Sequence, residues 1–105
     1  MHEIVTYKTR EGYLLCTFAG RLDTGVADVI EDDLIDHIMI TGLPVKFDFK
    51  EVEFVSSAFL RVCIKAARVS PDMKINIVNA LDVIKEVYDM TGLARIFNFE
   101  NVIAT

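Results

Sequence analysis

Two adjacent serines, Ser56 and Ser57, stand where a strand-like run ending at Val55 meets an apolar helical run. A serine at that junction can do one of two things. Its hydroxyl can accept a hydrogen bond from a backbone N–H of the first helical turn, which makes it a structural N-cap. It can instead accept a phosphoryl group, because the positive end of the helix dipole favours an added negative charge. The residues themselves leave both readings open.

Other chemistry is poorly provided for. The sequence contains no GxxxxGK[ST] or GxGxxG loop, no GxSxG elbow and no HExxH helix. His2 is next to the start of the chain. His37 falls near the end of an amphipathic helical pattern, where a protonated imidazole would only assist the helix dipole. Cys16 and Cys63 lie far apart, each inside an apolar run, with no CxxC or Cys/His spacing; they read as buried thiols rather than metal ligands or a disulfide. Asp28, Glu31, Asp32 and Asp36 lack the alternating oxygen ligands and mid-loop glycine of a calcium loop. No metal, cofactor or catalytic set is expected, and a binding role outranks an enzymatic one.

Composition agrees with a binding module. A chain of 105 residues, 52% apolar with mixed charges, suits one folded domain over residues 1–105. No apolar run approaches the roughly 20 residues of a membrane span. The N-terminus lacks the pattern of a signal peptide, so a cytoplasmic location is expected. The net charge of −5 argues against a nucleic-acid partner. The one cationic grouping, Arg61, Lys65 and Arg68, has the spacing of a helical stripe, either a solvated face or a contact surface for an acidic partner.

The elements that must position the serines can be read from periodicity. Residues 3–8 and 13–19 read as two strands joined at Arg10-Glu11-Gly12, and the nearly continuous apolar run of the second predicts cover on both faces. From Thr24 the pattern becomes helical, with Val26, Val29, Ile30, Leu34 and Ile38 as the inner stripe and Gly42 and Pro44 as the stop. A strand over 45–49 leads through a short connection to a helix from Ser57 to about Val69, apolar nearly all round. A strand over 74–78 follows. Next comes a helix capped by Asn79, with Asp82 as its capping-box partner and Leu81, Ile84, Val87 and Tyr88 on its inner face. Ile96, Phe97 and Phe99 suggest a last short strand. Strands alternating with helices predict an α/β domain: a mixed, mostly parallel sheet of four to five strands, with helices packed on it and an N-terminal strand pair.

Three segments in this order resemble those of the STAS family, the domain of bacterial anti-sigma factor antagonists. Gly20-Arg-Leu-Asp23 resembles the family's G-x-L-D element. Val45 to Leu60 resembles its strand–loop–helix segment, usually ending D-S-S-G-L. Met90-Thr-Gly-Leu-Ala-Arg-Ile-Phe97 resembles the T/S-G-L element after the third helix. The resemblance implies a signalling protein of transcription regulation that binds a kinase-type anti-sigma factor or another regulatory protein, displaces a sigma factor, and is released when the kinase phosphorylates a serine. Ser57 occupies the phosphoserine position. Asp23, Ser56, Ser57, Phe59 and Arg61 are the candidate partner-binding residues, on a monomer or weak dimer. Two residues depart from the family motif: Ser56 stands for the aspartate and Phe59 for the glycine. Phe59 is therefore either a core residue or an apolar anchor. The alternative is a non-phosphorylated STAS scaffold in a sensory or transport assembly. Nucleotide binding has been suggested for the family, and no phosphate-cradling loop supports it here. The last helix of many members is expected to be missing, since only Asn98 to Thr105 remain.

Overall fold

Gly12, at φ 82°, closes a two-residue connection that folds strand β1 (Val5–Arg10) back on strand β2 (Tyr13–Leu22), and this antiparallel pair starts the sheet. The computed structural model describes residues 4–100. After the hairpin the chain alternates: helix α1 (Thr24–Thr41), strand β3 (Val45–Val55), helix α2 (Ser57–Arg68), strand β4 (Ile75–Val78), helix α3 (Asp82–Met90) and strand β5 (Phe97–Glu100). Short 3-10 turns at Pro71–Met73 and Leu93–Arg95 precede β4 and β5. The sheet order is β1-β2-β3-β4-β5, parallel except for the first pair. This is the mixed α/β architecture that the alternation of strand and helix patterns implies.

Burial shows where the helices lie. Leu14, Cys16 and Phe18 of β2 and Val45, Phe47 and Phe49 of β3 are buried, whereas the intervening residues of β2 are half-buried. The buried residues of strands and helices form one contiguous core. Cover of β2 on both faces, as its apolar run suggested, is therefore not what forms. One face meets the helices and the other stays partly open, carrying Lys46, Asn76 and Glu100; Lys46 Nζ lies 3.7 Å from Glu100 Oε2 and 4.5 Å from the centroid of the Tyr13 ring.

Helix α2 is the central helix of the layer. Its buried residues, among them Phe59, Val62, Cys63, Ala66 and Ala67, face the core. On one flank Lys65 Nζ bonds Glu31 Oε2 of α1 at 2.9 Å. On the other, Cys63 Sγ and the Tyr88 hydroxyl of α3 share a hydrogen bond at 3.3 Å. Extensive burial of a helix demands such flanking neighbours.

Three local expectations are corrected. Strand β3 does not stop at residue 49. It continues to Val55 through two register shifts against β2, the signature of bulges that add residues to one strand. The Asp48 carboxylate accepts a bond from Lys50 N at 3.0 Å at the first of these. The inner face of α1 is Ala27, Ile30, Leu34 and Ile38, with Val29 left 74% exposed. At about 100° per residue Val29 points roughly 140° away from Leu34. Finally, Asn79 does not cap α3. Its own φ is 63°, a conformation asparagine tolerates, and its side-chain amide donates to Asp48 Oδ1 at 3.1 Å. The helix starts three residues later, at Asp82, with no side-chain cap, so Asp82 has no capping-box role, and Leu81 is half exposed.

Candidate functional site

Strands β2 and β3 end side by side, with Leu22 opposite Val55. The next residue of each chain segment is a helix N-cap. Asp23 Oδ1 accepts a bond from Val26 N at 2.9 Å and starts α1. Ser56 Oγ accepts one from Phe59 N at 3.1 Å and starts α2. Ser56 N also donates to Leu22 O at 3.0 Å, so the junctions are pinned to each other. Two helix N-termini therefore open at one edge of the sheet, and each supplies unpaired backbone N–H groups and partial positive charge.

The two serines divide their work at this edge. The Ser56 hydroxyl is used in capping and the residue is half-buried. Ser57 is the first residue of the helix; its side chain is exposed, and it makes no hydrogen bond to another described residue. Ala58, Phe59 and Leu60 then turn into the core. Arg61, exposed, follows one helical turn after Ser57 on the same side of α2.

Phe59 belongs to the core and is removed from the candidate contact residues. Its ring is fully buried, edge-on to Phe18 at 5.4 Å between centroids and tilted against Phe49 at 6.1 Å. Where the related motif has glycine, this chain fills the space below the first turn with an aromatic side chain that adds apolar burial. Asp23, Ser56 and Ser57 do share one edge.

A further pair at this edge escapes a reading of the sequence. Arg21 and Phe54 are opposite each other in β2 and β3, and the guanidinium sits 4.5 Å from the centroid of the Phe54 ring. Phe54 is 37% exposed. The bulges in β3 set its register: regular pairing continued from Thr17–Asp48 would bring Val52 opposite Arg21, and regular alternation from Phe49 would turn Val52 outward, whereas Val52 is buried and Phe54 is the residue opposite Arg21. The only prior signal is that both residues lie inside the Gly20–Asp23 and Val45–Leu60 segments.

Neither cysteine offers a reactive thiolate. Burial pushes the thiols of both Cys16 and Cys63 up to about 12, the Tyr88 hydrogen bond opposing the rise only at Cys63. Such groups stay protonated at neutral pH and are inert as nucleophiles. No cluster of three or more His, Cys, Asp or Glu side chains among the described residues is placed to hold a metal. Among those residues, no helix is long and apolar enough to cross a membrane.

Comparison with known proteins places this geometry. The sequence pattern of the STAS domain matches residues 5–105. Among solved structures, a STAS domain protein from Planctomyces limnophilus, described as an anti-sigma-factor antagonist, superposes with a TM-score of 0.83 at 13% identity over 93% of this chain and 89% of that one. An anti-sigma factor antagonist from Mycobacterium paratuberculosis gives 0.80 at 17% identity over 94% and 86%. The Bacillus cell fate determinant SpoIIAA in its phosphorylated form gives 0.67 at 13% identity over 92% and 91%. Among curated protein sequences no match is found.

Proposed function

The chain belongs to the STAS domain family, and from that premise we propose that it is an anti-sigma factor antagonist-type binding module, switched by phosphorylation of Ser57. The observation that carries the reading is the contrast between neighbours. Ser56 has its hydroxyl committed to capping, and Ser57, one residue on, presents a free and exposed hydroxyl at the start of α2.

The partner in this reading is a kinase-type anti-sigma factor. It docks on the edge formed by the α1 and α2 N-termini, with Asp23, Ser56, Ser57 and Arg61 in the contact. The Ser57 oxygen attacks the γ-phosphorus of ATP held by the kinase. An O–P bond forms, the bond from the γ-phosphorus to the β–γ bridging oxygen breaks, ADP leaves, and the serine proton passes to a base of the kinase. A phosphoserine adds about −1.5 to −2 charges at neutral pH. In solution the helix dipole tolerates that charge. Inside an interface the phosphate would lose its water without gaining dedicated partners, and the complex would come apart. A phosphatase resets the module, which itself performs no catalysis.

The experiment is a binding comparison with the purified kinase-type partner. Ser57→Ala should bind as the native chain does, and Ser57→Asp should bind at least about tenfold more weakly, in line with the cost of an unpaired interfacial charge. Equal binding by the two variants would overturn the switch.

A further inference from the structure

Between α1 and α2, on the outer surface of the helix layer, runs an open groove of about 570 Å³. Its floor is apolar, made by half-buried Ile35 and by Val69 just after α2. Met39, 61% exposed, continues the strip one turn beyond Ile35. The walls carry opposite charges, Asp32 and Asp36 along α1 and Arg68 on α2.

At one end the walls are already tied together by the Lys65–Glu31 bridge. Asp32, next to Glu31, and Asp36 and Arg68, about one turn further, line the same groove and form no ion pair among the described residues. The groove thus presents an unneutralised acidic wall, an apolar floor and an unneutralised cation, in that order across its width.

We propose that this groove receives a short helix of a partner protein. That helix directs a Lys or Arg at Asp32 and Asp36, an aliphatic side chain onto Ile35 and Val69, and an Asp or Glu at Arg68. Opposite charges on the two walls fix which way round the helix lies, which is specificity by charge complementarity. A helix suits the space, because the trough between two neighbouring helices takes a third one's side-chain ridge. A free zwitterion suits it less: small-ligand sites bury most of the ligand surface, and this trough is open along its length. Lys65 and Arg68 lie about two and three turns down α2 from Ser57, so the inference stands apart from modification of that serine.

The test uses two synthetic helical peptides of identical composition. One carries Lys, Leu and Glu on one face in the order the groove requires, and in the other Lys and Glu are exchanged with alanines of the opposite face, so that no direction of binding brings both charges to the walls. Each is titrated into the ¹⁵N-labelled full chain while amide shifts are followed. The matched peptide should shift the amides of Ile35, Met39 and Val69 and bind about tenfold tighter than the exchanged one, an advantage that salt reduces. Arg68→Glu, an exposed change that should leave the circular dichroism spectrum intact, should weaken the matched peptide about tenfold. Replacing the peptide's Glu with Lys should then restore binding. Equal affinity for the two peptides would overturn the proposal, as would shifts confined to other surfaces or no shift at millimolar peptide. So would equally strong shifts from the dipeptide lysyl-glutamate.

Discussion

Ser56 donates its backbone N–H to the carbonyl oxygen of Leu22 at 3.0 Å, and this one bond joins the start of α2 to the end of β2. Because Asp23 follows Leu22 directly and caps α1, the bond also sets the two helix N-termini in a fixed relation. The edge that carries Ser57 is therefore a property of the β2–β3 pairing rather than of either loop alone. Its geometry does not depend on the Ser57 side chain, so a switch there can change charge without unfolding the scaffold.

Removing the cap and removing the target should have different consequences. Ser56→Ala takes away the acceptor for Phe59 N and should cost about 1 kcal/mol of stability. Ser57→Ala removes an exposed hydroxyl that bonds to no described residue and should stay within about 0.5 kcal/mol of the native chain. Urea denaturation of the two variants checks this. Equal losses would mean that the capping role is shared.

Phe59 should behave as a core residue in every assay. Phe59→Ala leaves a cavity against Phe18 and Phe49 and should cost about 3–5 kcal/mol. Phe59→Leu, closer in volume, should cost well under half of that and leave partner affinity unchanged. Chemical denaturation measures the first difference and the partner-binding assay the second. A stable Phe59→Ala protein with lost binding would contradict the burial of the ring.

The thiols should be silent until the fold opens. Folded Cys16 and Cys63 titrate near 12, above the roughly 8.5 of an unfolded thiol. With the folded value raised, the stabilisation from keeping each thiol neutral is complete below about pH 8.5. It is lost as pH climbs toward about 12. Stability should therefore fall on the alkaline side, steepened by Tyr88, whose hydroxyl burial also pushes up. Ellman's reagent at pH 8 should react with neither cysteine in the native protein and with both in urea. The fall in stability from pH 9 to 11 should be shallower in Cys63→Ala than in the native chain.

Much of this site could be read before any coordinates, and the reasons are local. Asp23 and Ser56 are short polar residues placed immediately before apolar helical patterns, and both prove to be caps. Gly42, at φ 62° with its N–H on Ile38 O, ends α1 where glycine before proline says it should. What stayed hidden is set by pairing between strands. The two bulges in β3 break the alternation after Phe49, so Lys50 to Phe54 look like a connection although they are strand. The same bulges turn Val52 into the core and bring Phe54 opposite Arg21. Asn79 carries every local mark of a helix cap, yet its amide goes to Asp48 on a neighbouring strand, a tertiary bond that no window of sequence contains. Whether the Phe59 ring faced core or solvent needed the positions of Phe18 and Phe49, which come from two other strands.

The measurement that bears most directly on the central claim is phosphosite mapping by mass spectrometry of the protein isolated from its native cells, sampled through growth and stress. The account predicts a single phosphate, on Ser57, whose occupancy changes with conditions, and no phosphate on the capping Ser56. A chain that stays unmodified in every condition, or one phosphorylated at another residue with Ser57 untouched, would contradict it.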